Sequence, residues 1–211
     1  MKRVVVNVST GRYVAGQARL TEALALLGED YMLWRDELPP GSPSHQETPY
    51  AFKSWALEAA RQSGHTLLLW ADASIIPIAS LELIWAYAEA HGVWLSDNGY
   101  RNDEWTCEAA YPLLGVTKEE NHNIKHVVAT AFAVDLLHPV GAQFFVEYFR
   151  LAKNGAFKGP WKGGVGVQHR HDQTCASVIA HRLRIPLTNP PRFFAYDGGQ
   201  TEETILIAKG V

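Results

Sequence analysis

Residues 67–74 read Leu67-Leu68-Leu69-Trp70-Ala71-Asp72-Ala73-Ser74. Three leucines, a tryptophan and an alanine follow one another without a polar break and run straight into an aspartate. A strand with one wet face alternates apolar and polar residues. An unbroken run of this length suits a strand buried on both faces, as in a parallel sheet flanked by helices. Asp72 then stands where the strand leaves the sheet. In open α/β folds the ligand crevice lies beyond the carboxyl ends of the strands, so a carboxylate there is placed to hold a metal, a ribose or a sugar hydroxyl. The plainer reading is an aspartate that turns the chain.

Working outward, the same grammar repeats. Upstream, Arg3 to Val8 is β-branched and apolar, a buried first strand that ends in Ser9-Thr10-Gly11, small residues that let a ligand approach the backbone. Val14, Leu20, Leu24 and Leu27 keep helical spacing, and Gly28 supplies the stop. Tyr31 to Trp34 is a second short strand, and residues 35–46, with three prolines and a glycine, form a loop. Thr48-Pro49 predicts a helix start, with Thr as N-cap and Pro in the first turn; Phe52, Trp55, Ala56 and Ala59 are its apolar face and Gly64 its end. Downstream, Ser80 opens a helix with Leu81, Ile84, Trp85 and Ala88 inward and Gly92 as its stop. Val93 to Leu95 is the next strand, ending at Ser96-Asp97-Asn98-Gly99. The order β-α-β-α-β-α-β predicts a mostly parallel sheet with helices on both faces.

The second half is less regular. Residues 100–124 are polar and aromatic, with a short helix predicted near Glu108 to Leu114. His126 to Val134 is an apolar strand, and Pro139 begins a helix with Phe145, Tyr148, Phe149 and Ala152 inward. Gly155 to Val167 carries five glycines and a proline, a mobile loop by composition. It runs into His169-Arg170-His171-Asp172-Gln173-Thr174, where Asp172 can cap a helix bearing Cys175, Val178, Ile179 and Leu183 on one face. A last strand is predicted at Thr204 to Ala208.

Composition bounds the function. At 211 residues, 47% hydrophobic and 19% charged, the chain reads as one globular domain with a substantial core. A net charge of −3 exerts no general pull on nucleic acid or anionic membrane. Cys107 and Cys175 are too few for a disulfide framework and read as reduced thiols of a cytoplasmic protein. The N-terminal MKRVVVNVST reads as a strand rather than a signal peptide, and no apolar run is long enough to cross a bilayer. No phosphate loop, no G-x-G-x-x-G after a strand and no G-x-S-x-G elbow is present, which argues against a kinase, a dehydrogenase and a common serine hydrolase. The two cysteines form no zinc pattern. The polar residues left at predicted strand ends are Thr10, Asp72, Ser74 and Asp97, together with the His169 to Gln173 cluster.

These residues resemble a GT-A glycosyltransferase. "LLLWADAS" looks like that fold's strand and its Asp-x-Asp-like element, and "HRHDQTCASVIAHRL" looks like the Asp-Gln segment that several such families carry before a late helix. The resemblance implies a single α/β domain, GT-A or Rossmann-like, with residues 1–99 as the nucleotide-binding half and 100–211 as the acceptor and catalytic half. It implies transfer of a sugar from a nucleotide-sugar, a UDP-sugar by family analogy, to a hydroxyl acceptor that the sequence does not name, whether glycan, small molecule or modified nucleic acid. Thr10, Gly11, Arg12, Lys53, Asp72 and Ser74 would then bind the donor. Asp72 and His169 would hold Mn²⁺ or Mg²⁺, and Asp172, Asp97 and His171 would be catalytic.

The chemistry of such a transfer matches those residue types. The leaving diphosphate needs cations, a metal or a helix N-terminus; the oxocarbenium-like sugar needs a carboxylate; the acceptor hydroxyl needs a base. One position departs from the pattern. Ser74 stands where the family's last motif aspartate, a direct metal ligand, is found, and a hydroxyl is a poor substitute for a carboxylate on a hard divalent ion. That departure sustains a second reading, a GT-A-like nucleotide or sugar-binding module without transferase activity. Each residue also has a plainer role: Lys53 as a solvated lysine, Asp172 as a helix cap, Asp97 before Asn-Gly as a turn, and Trp94, Trp105 and Trp161 as packing or gating groups.

Overall fold

In the computed structural model, which describes residues 2–210, Leu67–Ala71 is β3 and every one of its residues is buried. It lies at the centre of a five-stranded sheet ordered β2-β1-β3-β6-β5, built from β1 (Arg3–Ser9), β2 (Tyr31–Arg35), β5 (Val93–Arg101) and β6 (Lys125–Asp135) around it. Alternate residues of β3 serve two separate cores. Leu68 and Trp70 pack with α2 (Phe52–Gln62), α6 (Pro139–Lys153) and α7 (His171–Arg182) on one face. Leu67, Leu69 and Ala71 pack on the other face with α1 (Val14–Leu27) and α3 (Glu82–His91). With both faces covered there is no position left for a polar residue, which is why the strand reads as an unbroken apolar run. Burial of each of its leucines contributes about 1.5–3 kcal/mol.

The strand order departs from the simple parallel series. β1 runs parallel to β2 and β3, but β5 does not neighbour β3. β6 inserts between them, antiparallel to both. Its eleven residues are buried on both faces apart from Lys125 and the half-buried Thr130, so only an interior slot satisfies them. β5 also continues past the expected stop at Asn98-Gly99 as far as Arg101, with a shift of register after Asp97 and Gly99 at φ 77°. Beneath the second face lies a small three-stranded sheet, β4-β8-β7. β8 (Thr204–Ala208) matches expectation. β4 (Ile75–Pro77) and β7 (Phe193–Tyr196) are too short to show a period and were not legible in the sequence.

Two helix starts also differ. The second helix begins at Phe52, not at Thr48-Pro49; Thr48 makes no capping bond, and Tyr50 breaks the path with φ 59°. At α7 the N-cap position belongs to Arg170, and Asp172 is turned inward instead of capping. Near Glu108 to Leu114 the predicted helix is a 3-10 turn followed by α4 (Tyr111–Leu114), and α5 (Lys118–His122) follows it. Among the described residues no helix is long and apolar enough to cross a membrane.

Candidate active site

A cavity of about 600 Å³ opens at the carboxyl ends of β1 and β3, within the usual range for a small-molecule site. Thr10, Arg12, Asp72 and Ser74 all line it, facing His45 and Tyr50 from the loop before α2. Buried amides tie together the elements that carry it. Gln17 of α1 donates to Asn7 Oδ1 and to the Trp34 carbonyl at 2.8 Å each, and Asn7 donates in turn to the Ala71 carbonyl at 2.6 Å. The first turn of the cavity wall is fixed by Asp36, whose Oδ1 accepts from the Gly11 amide at 2.8 Å. Three strand ends and a helix start are thus locked together by polar groups that would otherwise be buried without partners. Arg12 is the single Lys or Arg of the lining; it is exposed and donates to Tyr13 Oη at 3.0 Å.

Lys53 is not a solvated lysine. Its side chain is 2% exposed, and its ammonium lies 3.1 Å from Asp72 Oδ1 and 2.9 Å from Asp172 Oδ2. A third donor reaches the Ala129 carbonyl at 2.9 Å. The ring centroids of Tyr50 and Trp70 lie 5.2 and 5.3 Å away. Burial pushes the ammonium's pKa down, but the two carboxylates outweigh it, Asp172 more than Asp72, and the net shift is upward. Lys53 is therefore a permanent cation. Asp72 Oδ1 also accepts from Trp70 Nε1 at 2.7 Å, so both protein bonds to Asp72 fall on one oxygen. Its side chain is 28% exposed, and it is Oδ2 that is left for the cavity. Asp172 is 6% exposed and additionally accepts from Tyr148 Oη at 3.4 Å.

Behind Tyr50 stands a stack of rings. The His171 ring lies 5.5 Å from Tyr50 and is stacked nearly parallel to Trp161, at 5.6 Å and 11°. His171 Nδ1 is 2.8 Å from the Phe157 carbonyl, an obligate acceptor, so Nδ1 carries the proton and Nε2 keeps a lone pair. Burial lowers its pKa, which holds the imidazole neutral near pH 7. Arg170, next in the chain, is sandwiched between Trp161 and Trp105, its guanidinium carbon 3.9 and 4.3 Å from the two ring centroids. Tyr50 and its neighbour His45, whose Nδ1 accepts from the Tyr50 amide at 3.3 Å, carried no signal in the sequence because a left-handed residue in a loop has no periodic signature.

Among solved structures the chain is similar to a glycosyltransferase involved in the glycosylation of the major capsid of PBCV-1, with a TM-score of 0.52 and 12% identity across 99% of this chain and 92% of that one. It is also similar to the apo structure of the bifunctional glycosyltransferase WbbM, with a TM-score of 0.56 and 10% identity, across all of this chain and 46% of that one. The chain has a GT-A-like glycosyltransferase fold. At these identities the likeness is one of fold. No protein-family model and no curated protein matches the sequence.

GT-A-like folds imply a divalent metal on the Asp-x-Asp-like element, and the residues of this one can be tested for it. A hard divalent ion takes about six or more oxygen ligands, mostly carboxylates and waters. Here the space between Asp72 and Asp172 holds the Lys53 ammonium, and Ser74 brings a hydroxyl instead of a third carboxylate. His169 does not complete the set. It is fully buried, does not line the cavity, and bonds the Ala156 carbonyl through Nε2 at 2.9 Å. Among the described residues no group of three or more His, Cys, Asp or Glu side chains is arranged to hold a metal ion. With the Lys53 ammonium between the two carboxylates, the donor set does not fit a divalent ion.

Asp97 is likewise apart from the GT-A-like cavity. Its carboxylate bonds Lys125 Nζ at 2.7 Å and the Gly99 amide at 2.9 Å, and it does not line the cavity. This is the turn role, with the strand continuing beyond it. Thr10, Arg12, Asp72 and Ser74 are brought together at the cavity wall, Gly11 lies between two of them, and Lys53 and Asp172 are joined beneath Asp72.

Proposed function

We propose that this chain transfers a sugar from a nucleotide-sugar, a UDP-sugar, to a hydroxyl acceptor. The observation that carries the proposal is Asp72, which lines a cavity of about 600 Å³ with one carboxylate oxygen engaged by Trp70 and Lys53 and the other making no bond to a protein side chain among the described residues. A carboxylate with one fixed and one free oxygen is an oriented acceptor for a ribose or sugar hydroxyl. In this reading Thr10, Gly11 and Ser74 contact the donor, and Arg12 meets the diphosphate as charge builds on it. His171, neutral and oriented by the Phe157 carbonyl, is buried outside the cavity lining behind the rings of Tyr50 and Trp161, and would take the acceptor proton at Nε2 once those rings move aside. Asp172 acts through Lys53, holding the ammonium and hence Asp72 in place, and Asp97 has no part in the chemistry. The glycine-containing segment from Gly155 to Gly166, which carries Trp161, covers the His171 side and would exclude water from the reacting donor.

A panel of nucleotide-sugars tested by thermal shift checks the donor half. The cognate donor at about a hundred times its dissociation constant stabilises the fold by roughly 2.7 kcal/mol. Asp72→Asn weakens that shift, and a panel in which no nucleotide moves the melting temperature refutes the proposal. Donor binding without sugar transfer or donor hydrolysis would instead indicate a binding module, the reading that Ser74 favours.

A further inference from the structure

We propose that the Lys53 ammonium is a built-in cation standing where a divalent metal would otherwise sit. It keeps a divalent ion from Asp72 and Asp172, and its removal turns that pair into a metal site. The functional half of this inference rests on the donor reading above; the metal half does not.

The geometry is that of a cation site already filled. Nζ has three protons and three acceptors, Asp72 Oδ1, Asp172 Oδ2 and the Ala129 carbonyl, at 3.1, 2.9 and 2.9 Å. The acceptors come from three elements, the end of β3, the first turn of α7 and the middle of β6, so the ammonium draws together parts of the chain distant in sequence. Its remaining sides face the rings of Tyr50 and Trp70, which favour a cation. The lysine is buried and retains its proton, so its charge is constant. Two carboxylates and one ammonium leave one net negative charge. A divalent ion brought to the same oxygens would have to displace a lysine with no other acceptor or lie against a like charge in a site of low dielectric.

The consequence is a division of labour. A metal held on an Asp-x-Asp-like element would supply positive charge to the diphosphate; Lys53, with its donors engaged by Asp72, Asp172 and the Ala129 carbonyl, touches no ligand. Its work is to fix Asp72 so that Oδ2 faces the cavity, which makes it a positioning residue. The charge of the leaving diphosphate then falls to groups on the wall, of which Arg12 is the cationic one.

Two measurements on the unaltered protein and one on each of two variants test this. Mn²⁺ titrated into the protein alone, followed by the electron paramagnetic resonance of the free ion, shows no stoichiometric uptake by the wild type. UDP affinity measured by calorimetry is the same in chelator and in Mn²⁺. Lys53→Ala takes up one Mn²⁺, and Lys53→Ala combined with Asp172→Asn loses it again. Stoichiometric uptake by the wild type that Asp72→Asn abolishes would overturn the proposal. So would a loss of UDP affinity of about tenfold or more in chelator, or a folded Lys53→Ala protein that takes up no Mn²⁺. If Lys53→Ala does not fold, the wild-type measurements decide. If UDP does not bind at all, the donor reading fails while the Mn²⁺ titration still tests the cation.

Discussion

Replacing Asp172 by asparagine separates the two roles this residue can have. As a helix cap, Asn serves about as well as Asp, and the change would be nearly silent. In the structure, however, Asp172 caps nothing. It is 6% exposed, lies 2.9 Å from a buried ammonium and accepts a weak 3.4 Å bond from Tyr148. Removing one partner of a buried ion pair costs about 3–5 kcal/mol when the other charge is left uncompensated. Here Asp72 stays at 3.1 Å and the amide oxygen of Asn still accepts from Nζ, which lowers the expected cost to about 2–3 kcal/mol. For a chain of this size that lowers Tm by about 4–12 °C. Urea denaturation followed by tryptophan fluorescence measures it directly, and the midpoint moves without a change of slope if only stability is altered. Two controls fix the interpretation. Tyr148→Phe, which removes only the long bond, costs at most about 1 kcal/mol. Combined with Lys53→Met, Asp172→Asn costs less than the sum of the two single changes, because the ammonium it leaves short of charge is gone. A stability loss below about 0.5 kcal/mol for Asp172→Asn, within the range of neutral surface changes, would refute the buried triad.

His171→Gln keeps a polar group beside the Phe157 carbonyl but offers no proton acceptor of suitable basicity. Turnover should fall by about tenfold or more, or 1.4 kcal/mol in the barrier, with donor affinity unchanged; equal turnover would remove it as the base. Gly141 opens α6 against the turn after β6, and a Cβ there would collide with the Asp135 and Gly92 carbonyl oxygens. Gly141→Ala should therefore cost about 1–3 kcal/mol in denaturant, and a neutral result would show that the helix can slide. Stability should also fall in acid. Burial lowers the pKa of His126 to about 3 and of His169 to about 4, against 6.5 when unfolded. The unfolded chain then binds more protons between those values, so the contribution is whole above about pH 6.5 and is lost as pH drops toward 4 and 3. Unfolding free energies at pH 7.5, 5.5 and 4.5 test this, and His126→Gln should flatten the slope.

The layering is legible in the sequence. An apolar run from Leu67 to Ala71 with no alternation suits a strand covered on both sides, and the helices around it announce their inward faces by spacing and their ends by Gly28, Gly64 and Gly92. The sequence also shows that Asp72 ends the central strand, because the apolar run stops there, and with it the position of Thr10, Arg12 and Ser74 at neighbouring chain ends. Strand order was beyond it. An apolar strand reads the same in either direction, and β6 takes its antiparallel place because of the slot left between β3 and β5. The partner of Lys53 was equally hidden. A lysine on an amphipathic helix resembles every solvated lysine until a distant aspartate from α7 is folded onto it. Asp172, a plausible cap by its local pattern, becomes half of a buried ion pair only because Arg170 takes the capping position and the side chain turns inward. Local pattern is a property of short windows of chain, whereas a charge in a low-dielectric interior is decided by whichever opposite charge tertiary packing brings within 3 Å of it.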